Sequence, residues 1–319
     1  MAADKLDDYL YDIFDITKSV DLLGSYSKRI REFFTLESVI ETADSGTRPT
    51  ESNEPFSLEF RNVSFRYSEE DSYVLKDLSF TVHKGEKVAL VGENGVGKST
   101  IVKLILRLYD VSAGAILING IDIRSYDIHA LRECIGVAFQ DTNLYAMSFR
   151  DNMELLHRGD DEKCEEILSV LKLDRVLDKN KASLEDEVTR EFRKDGVMLS
   201  GGEKQKIGIA RVMTAQNGLV LLDEPSSALD PIAENDIYQK YNDMTHGRTS
   251  FFISHRLAST RFCDRIIFVD SGKIAEEGTH DELLKNGGGY AYMFEVQSKY
   301  YRSDNQDGTS DGSPDAAIK

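Results

Sequence analysis

The stretch "GENGVGKST", from Gly92 to Thr100, has the residue types and the spacing of a phosphate-binding loop. It matches G-x-x-x-x-G-K-[ST] in full and lies between a predicted strand and a predicted helix. Glycines let the backbone N–H groups approach phosphate oxygens, the lysine neutralises the β- and γ-phosphates, and the serine hydroxyl is a ligand for Mg²⁺. A glycine-rich turn with an incidental lysine is the disfavoured alternative. The expected nucleotide-binding residues are Gly92, Glu93, Asn94, Gly95, Val96, Gly97, Lys98, Ser99 and Thr100.

Two carboxylates, Asp223 and Glu224, end the apolar run "LVLLDE". At the tip of a buried strand beside a phosphate loop, Asp223 is expected to hold Mg²⁺, usually through water, and Glu224 to polarise the attacking water. The alternative is an acidic pair at a helix N-terminus ahead of Pro225. The phosphate loop favours the catalytic interpretation.

Three further residues are predicted to end strands: His255 closes "FFISH", Gln140 ends "IGVAFQ" and Tyr67 ends the first strand. His255 is a candidate contact to the terminal phosphate, although a histidine there is by default a satisfied core or surface group. Gln140 offers an amide oxygen to a metal or to the attacking water, but this signal is weak alone. Tyr67 could stack on adenine, whereas an aromatic residue at a strand end usually serves packing.

A second glycine pair lies in "LSGGEKQKIGIAR", from Leu199 to Arg211. Ser200 and Glu203 fit a capping box at the start of a helix. Gly201 and Gly202 make that interpretation incomplete, because glycine destabilises a helix start and its benefit is close approach of another group. The stretch has no GK[ST], so it could contact a phosphate but could not support hydrolysis alone.

The pattern along the chain predicts how these residues are positioned. Residues 1–42 predict a helical extension, 43–55 a linker, 56–301 a globular block and 302–319 a disordered tail. Within the block, "LEFRNVSFRY" alternates like a half-buried strand, "LSFTVHKGEKVALVG" predicts two strands, and "AILINGIDI" a hairpin. "IVKLILRLY" and "PIAENDIYQKYNDM" predict helices. "LVLLDE" and "TSFFISH" are typical of central strands in a parallel sheet.

Composition limits the classes of function. The chain has 319 residues, 40% of them hydrophobic, and a net charge of −17, which argues against a nucleic-acid partner. ATP remains compatible, since local N–H groups and one lysine can hold its phosphates. The three cysteines show no metal-ligand spacing and predict a reducing, cytosolic setting. No apolar run is long enough to span a bilayer, so the chain alone is expected to be soluble.

The ordered set of "GENGVGKST", Gln140, "LSGGEKQ", "LVLLDEPSSALD" and His255 resembles the nucleotide-binding domain of ATP-binding cassette (ABC) proteins. The resemblance covers about residues 56–301 and implies an α/β fold. Its parts are a P-loop NTPase core with a mixed, mostly parallel sheet, an antiparallel β-subdomain that stacks adenine, and a helical subdomain at about 148–215. "FQDTNLYAMSFRDNM" and the C-terminal end are similar to the exporter branch. "SYSKRIREFF" is similar to the cytoplasmic end of a last transmembrane helix. "REFRKDG" departs from the commoner exporter pattern, which bears on coupling or substrate branch.

The resemblance also implies why two glycine loops are present. Two such domains, identical or different, pair head-to-tail around ATP and Mg²⁺, each ATP lying between one phosphate loop and the partner's residues 200–202. Asp230 lies at that interface by analogy. A transmembrane domain, in cis or in trans, would place the chain at the cytoplasmic face of a membrane. A soluble ABC ATPase without a transport role is the alternative, and the transported substrate is not encoded in these residues.

Overall fold

The computed structural model describes residues 2–36, 40, 46–49, 54–155, 161–215, 217–224, 245, 247–254 and 257–304. The chain divides into two compact units, Met1–Glu41 and Thr42–Lys319. The first unit contains one long helix, α1 (Ala2–Phe34). Several of its apolar side chains are exposed, among them Phe14, Leu23 and Phe34. Within the part of the chain that the structure describes, no helix is both long and apolar enough to cross a membrane.

An antiparallel sheet of four strands begins the second unit, in the order β2-β1-β4-β5. The alternating pattern of β1 buries one face of the strand, with Leu58, Phe60 and Val63 inside. Asn119 and Gly120 have φ angles of 50° and 80°, which is the left-handed pair that a tight hairpin turn requires. The strands are β1 (Leu58–Phe65), β2 (Leu75–Val82), β4 (Ala113–Ile118) and β5 (Ile121–Asp122).

A second sheet of six strands positions the candidate site, in the order β10-β9-β3-β8-β7-β6. Its strands are β3 (Lys87–Val91), β6 (Ile135–Ala138), β7 (Leu219–Asp223), β8 (Thr249–Ile253), β9 (Arg265–Asp270) and β10 (Lys273–Gly278). All neighbours pair in parallel except β9 and β10. Every residue of β7 and β8 is buried, which explains their continuous apolar runs. The carboxyl ends of β3, β7 and β8 therefore meet at one edge.

Helices cover this framework and build a second core. The helices of the second unit are α2 (Lys98–Ile105), α3 (Ile128–Glu133), α4 (Phe149–Glu154), α5 (Asp161–Leu171), α6 (Asp174–Asn180), α7 (Gly201–Thr214), α8 (His280–Asn286) and α9 (Gly289–Asp304). Buried residues of α4 to α7 form a hydrophobic cluster, including Phe149, Leu168 and Ile207, that joins them to β7 and β8. The predicted α/β fold, with both sheets and the N-terminal helix, is confirmed.

Some element bounds differ from the predictions. Helix α1 ends at Phe34 rather than near residue 42, with the Thr35 N–H shared between two carbonyls of the last turn. Helix α2 ends at Ile105, because Arg107 takes a φ of 48° and the Leu108 N–H turns back to the Lys103 carbonyl. The two strands of "LSFTVHKGEKVALVG" form but belong to different sheets. The predicted helix that starts at Pro231 and most of the tail lie outside the described residues.

Candidate functional site

The loop of residues 92–97 connects β3 to α2 at the carboxyl edge of the sheet. Gly97 has a φ of 103°, and a Cβ added there would lie 2.7 Å from Leu75 Cδ2. A Cβ at Gly92 would collide with the carbonyl oxygen of Val269. Glycine is therefore required at both ends of the loop, once for its backbone conformation and once for close packing.

Lys98 is the first residue of α2, and only 5% of its surface is exposed. Its Nζ donates hydrogen bonds of 2.8 Å to the carbonyl oxygens of Gly92 and Glu93. An ammonium group has three donors, so one is left over for a phosphate oxygen. Burial lowers the pKa of Lys98, while the negative charges of Glu224 and Asp223 oppose that shift. The loop thus holds a cation where terminal phosphates would lie.

The N-terminus of α2 differs from the other helix starts near the site. Its N-cap is Gly97, no side chain caps it, and its first turn contains no acidic residue. The first N–H groups of a helix have no partner within the helix and form the positive end of its dipole. This end of α2 is therefore suited to an anion, as in a phosphate-binding loop.

Asp223 is the last residue of β7 and is 7% exposed. Burial raises the pKa of its carboxyl group, and a hydrogen bond with Ser99 opposes that shift. Among the described residues its Oδ1 has no hydrogen-bond partner. Buried acceptors almost always have a partner, so this oxygen is suited to a cation that the described residues do not supply.

These two oxygen-bearing side chains, Ser99 and Asp223, fit Mg²⁺, which prefers hard oxygen ligands and keeps several waters. In the described part of the chain no cluster of three or more His, Cys, Asp or Glu side chains could hold a metal ion. A bound Mg²⁺ would therefore complete its coordination with phosphate oxygens and water, as is usual in nucleotide sites.

Glu224 follows Asp223 in the chain with a φ of 48°, an uncommon conformation for a residue with a side chain. Its N–H donates a 2.9 Å hydrogen bond to the Ile253 carbonyl oxygen, which ties the turn to β8. Glu224 lines the same cleft as the phosphate loop. The turn at the end of β7 thereby sends two successive carboxylates to the site.

Tyr67 also lines this cleft, two residues past the end of β1, and is 43% exposed. Its hydroxyl is 3.0 Å from Thr100 Oγ1, and its ring makes an edge contact with Tyr109 at 5.2 Å between centroids. Lys103 Nζ lies 5.5 Å from the centre of its ring. A half-exposed aromatic ring fixed in this way could stack on a base.

The cleft has a volume of about 580 Å³. Its lining contains nine of the eighteen predicted site residues and adds Val74, which sequence reasoning missed. Val74 lies between Tyr73 and Leu75, directly before β2, and such a short apolar run gives no sign of a ligand contact. The lining residues are Tyr67, Val74, Asn94, Gly95, Gly97, Lys98, Ser99, Thr100, Gln140 and Glu224.

Gln140 lies two residues beyond β6 rather than at its last residue. Its side chain lines the cleft, and its carbonyl oxygen accepts a 3.5 Å hydrogen bond from Gln205 Nε2 on α7. Gly208 also packs there, since a Cβ on it would lie 2.5 Å from Thr142 Oγ1. The segment after β6 is thus attached to the helix that begins at "LSGG".

Helix α7 begins with the predicted capping box. The Ser200 N–H donates to Glu203 Oε2 at 2.7 Å, and the Glu203 N–H donates to Ser200 Oγ at 3.4 Å. Ser200 and Gly201 are exposed and Gly202 is half-buried. None of these three is among the described residues that line the cleft. His255 and Asp230 lie outside the described residues.

Residues 75–227 match the family model described as ABC transporter. These residues include the phosphate loop, Gln140, the "LSGG" helix and both carboxylates. The chain belongs to the ABC transporter family. Family membership implies that this domain binds and hydrolyses ATP.

Relatives within the ABC transporter family are considerably longer. The chain is 38% identical over 279 residues to the subtilin transport ATP-binding protein SpaT of Bacillus subtilis, covering 86% of this chain and 44% of the relative. It is 36% identical over 308 residues to the mitochondrial iron-sulfur clusters transporter ATM1 of Saccharomyces cerevisiae, covering 92% of this chain and 44% of the relative. The chain therefore spans less than half the length of these relatives.

A solved structure shares the fold. It is described as a bacterial Atm1-family ABC exporter with ATP bound, and it superimposes with a TM-score of 0.75 at 32% identity. The match covers 86% of this chain and 47% of that one. The fold of this chain thus agrees with that of an ABC transporter whose structure contains the nucleotide.

Proposed function

We propose that this chain is the ATP-binding and ATP-hydrolysing part of an ABC exporter. The observation that carries the proposal is a cleft lined by the buried Lys98, the uncapped start of α2 and Glu224, with Asp223 hydrogen-bonded to the lining residue Ser99. Cation, helix dipole and carboxylates are the parts that phosphoryl transfer to water requires. The transport proteins among the relatives, and the exporter whose structure shares the fold, support the transport role.

The binding roles follow from the chemistry of each side. Lys98 and the first N–H groups of α2 neutralise the β- and γ-phosphates, and Tyr67 stacks on the adenine. Ser99, Asp223 and Gln140 would hold Mg²⁺, which neutralises developing phosphate charge when it is bound. The unpartnered Oδ1 of Asp223 supports this assignment.

Glu224 is the residue that orients the attacking water and accepts its proton. It is placed beside the phosphate loop by a turn that β8 fixes through the Ile253 carbonyl. His255 is proposed to contact the γ-phosphate from the end of β8. Glu224 thus acts on the attacking water, and His255 acts on the phosphate.

The second glycine loop implies a second nucleotide-binding domain. Ser200 and Gly201 are exposed and lie apart from the cleft lining, so they are available to the ATP of another domain. We propose that two domains, identical or different, close around ATP head-to-tail, with Asp230 at the interface. Hydrolysis then releases the pair, and a transmembrane domain in cis or in trans converts this cycle into export. This would hold the chain at the cytoplasmic face of a membrane.

The test of the catalytic assignment is Glu224→Gln, measured by steady-state ATPase activity with Mg²⁺. Removing a general base typically costs 10²–10⁴-fold in rate, so we expect a loss of roughly that size with ATP binding retained. Lys98→Ala should instead weaken ATP binding itself. Glu70→Gln, which changes an exposed carboxylate in the loop after Tyr67, is the matched control and should keep full activity.

Turnover at the unaltered rate in Glu224→Gln would show that Glu224 is not the base. Unchanged ATP binding in Lys98→Ala would contradict the assignment of the phosphate site. The two variants thus test binding and chemistry separately.

A further inference from the structure

Tyr67, the ring proposed to stack on adenine, lies beyond the end of a strand. It follows Phe65, the last residue of β1, by two positions. Within a strand the side chains point alternately to the two faces of the sheet, so the pairing of β1 fixes the direction of Phe65. The strand ends before Tyr67. The direction of the Tyr67 ring therefore depends on the contacts of its own side chain.

Two side chains of α2 hold the hydroxyl end of the Tyr67 ring. Thr100 Oγ1 lies 3.0 Å from the hydroxyl oxygen, and Lys103 Nζ donates to that oxygen at 3.4 Å. The hydroxyl lies on the axis about which a tyrosine ring rotates, and the torsion about this axis is broad. The two contacts thus fix where the ring ends but not the angle of its plane, which other neighbours must determine.

Two aromatic rings make edge contacts with Tyr67. The centre of the Phe65 ring lies 4.9 Å from that of Tyr67, with the ring planes 81° apart. For Tyr109 the distance is 5.2 Å and the planes are 88° apart. Aromatic rings prefer this perpendicular arrangement at such distances, so both contacts oppose rotation of the Tyr67 ring. Phe65 belongs to the buried core, whereas Tyr109 is 41% exposed and can be exchanged without opening that core.

The turn that contains Tyr109 is fixed at two points. Arg107 and Asp110, which flank it, form a hydrogen bond of 3.0 Å from Nε to Oδ1, and the Arg107 side chain is buried. Shortly after it, Ser112 Oγ accepts a 3.2 Å hydrogen bond from the N–H of Arg66, the residue before the stacking ring. This turn therefore connects the end of α2, the helix that follows the phosphate loop, to the end of β1.

We infer that Tyr109 is a positioning residue for nucleotide binding. Its ring holds the plane of the Tyr67 ring and thereby determines the surface that the cleft offers to adenine. Tyr109 is not among the described residues that line the cleft, so its effect on the nucleotide passes through Tyr67. This inference rests on the proposed function, in which Tyr67 stacks on the base.

The test compares a ligand that has a base with one that has none. Binding of MgATP and of magnesium tripolyphosphate to the full chain is measured by isothermal titration calorimetry. Tyr109→Leu removes the ring, and we expect it to raise the Kd for MgATP about fivefold, a loss within the range of one edge contact between aromatic rings. The Kd for tripolyphosphate should stay unchanged, because Lys98 and the phosphate loop bind it. Tyr109→Phe keeps the ring and should bind MgATP as the unchanged chain does.

Steady-state ATPase kinetics separate binding from chemistry. KM for ATP should rise in Tyr109→Leu while kcat is retained, because the substitution leaves Glu224 and Asp223 in place. Tyr292→Leu, which removes an exposed tyrosine ring from α9, is the control and should change neither constant. An unchanged Kd for MgATP in Tyr109→Leu, an equal loss for tripolyphosphate, or an equal loss in Tyr109→Phe would overturn the inference.

A double-mutant cycle shows whether Tyr109 acts through Tyr67. Tyr67→Leu removes the stacking ring and should raise the Kd for MgATP about tenfold or more, since stacking of a base on an aromatic ring is the larger interaction. Residues that act as one unit are non-additive, so Tyr109→Leu should weaken binding by Tyr67→Leu no further.

Two outcomes of the cycle contradict the inference. In the first, the fivefold loss of Tyr109→Leu adds in full to that of Tyr67→Leu, which would show that Tyr109 acts independently of Tyr67. In the second, Tyr67→Leu alone binds MgATP with an unaltered Kd. The stacking role of Tyr67 then fails together with this inference, while the Lys98 and Glu224 tests of the site still stand.

Discussion

At the residue scale, the site contains buried ionisable side chains whose charged forms are unfavourable without a ligand. Burial raises the pKa of Asp223 and lowers that of Lys98, so both side chains resist their charged forms. Shifts of this kind cluster at functional sites, because the binding partner supplies the compensating charge. The two residues should therefore cost the free protein stability that nucleotide and Mg²⁺ return.

Asp223→Asn should raise the melting temperature of the nucleotide-free protein at neutral pH. The folded pKa of Asp223 is raised, so its contribution to stability is complete at acidic pH and is lost as the pH rises through that folded pKa. Asparagine has no such loss. We expect a gain of about 2–4 °C, the shift that about 1 kcal/mol produces, together with loss of Mg²⁺-dependent ATPase activity.

The pH dependence provides the control for this prediction. The gain should shrink as the pH falls toward the ordinary aspartate pKa of about 3.9. Asp127→Asn should give no gain, because the Ala130 N–H lowers the pKa of Asp127 and stabilises its charge. A melting temperature of Asp223→Asn at or below that of the unchanged protein at neutral pH would contradict the account.

At the element scale, two helices of this chain begin with the same device. Ser200 and Glu203 form a capping box at α7, and Thr279 and Glu282 form one at α8. The cap alone thus cannot distinguish a functional helix start from a structural one. The glycine pair after Ser200 does distinguish it, since α8 has no glycine in its first turn.

Ser200→Ala and Thr279→Ala form a matched pair for this reason. Each should lower the free energy of unfolding by about 1 kcal/mol, the usual cost of losing an N-cap side chain. Only Ser200→Ala should also lower ATPase activity, because only Ser200 is proposed to meet a partner's phosphate. ATPase activity and denaturant unfolding are measured for both variants. Equal losses of activity would show that Ser200 acts only as the N-cap of α7.

Local sequence patterns predicted most helices and strands, but they did not predict which strands pair with each other. The alternation of β1, the Asn119-Gly120 turn and the apolar run of β7 each follow from neighbouring residues. The separation of β2 and β3 into different sheets does not, because it depends on which strands compete for each edge. The cleft lining shows the same difference. The phosphate loop was evident from its motif, whereas Val74 lines the cleft because of tertiary packing.

At the scale of the whole molecule, the cleft is half of the proposed catalytic unit. In the proposal, Lys98 and Asp223 hold the nucleotide and its Mg²⁺, Glu224 activates the attacking water, and the exposed start of α7 contributes to another copy's site. Symmetric pairing makes two such sites from two identical patches. A ligand that binds the pair better than the separate chains shifts the equilibrium toward the pair. ATP should therefore control the oligomeric state, and its hydrolysis should reverse that change.

The most direct test is the size of Glu224→Gln by sedimentation velocity, with and without MgATP. We expect a monomer without nucleotide and a dimer with saturating MgATP, since blocked hydrolysis traps the paired state. Adding Ser200→Asp should restore the monomer while ATP still binds, because aspartate keeps the N-cap but opposes the partner's phosphate. A Glu224→Gln protein that binds ATP and stays monomeric would contradict the shared site.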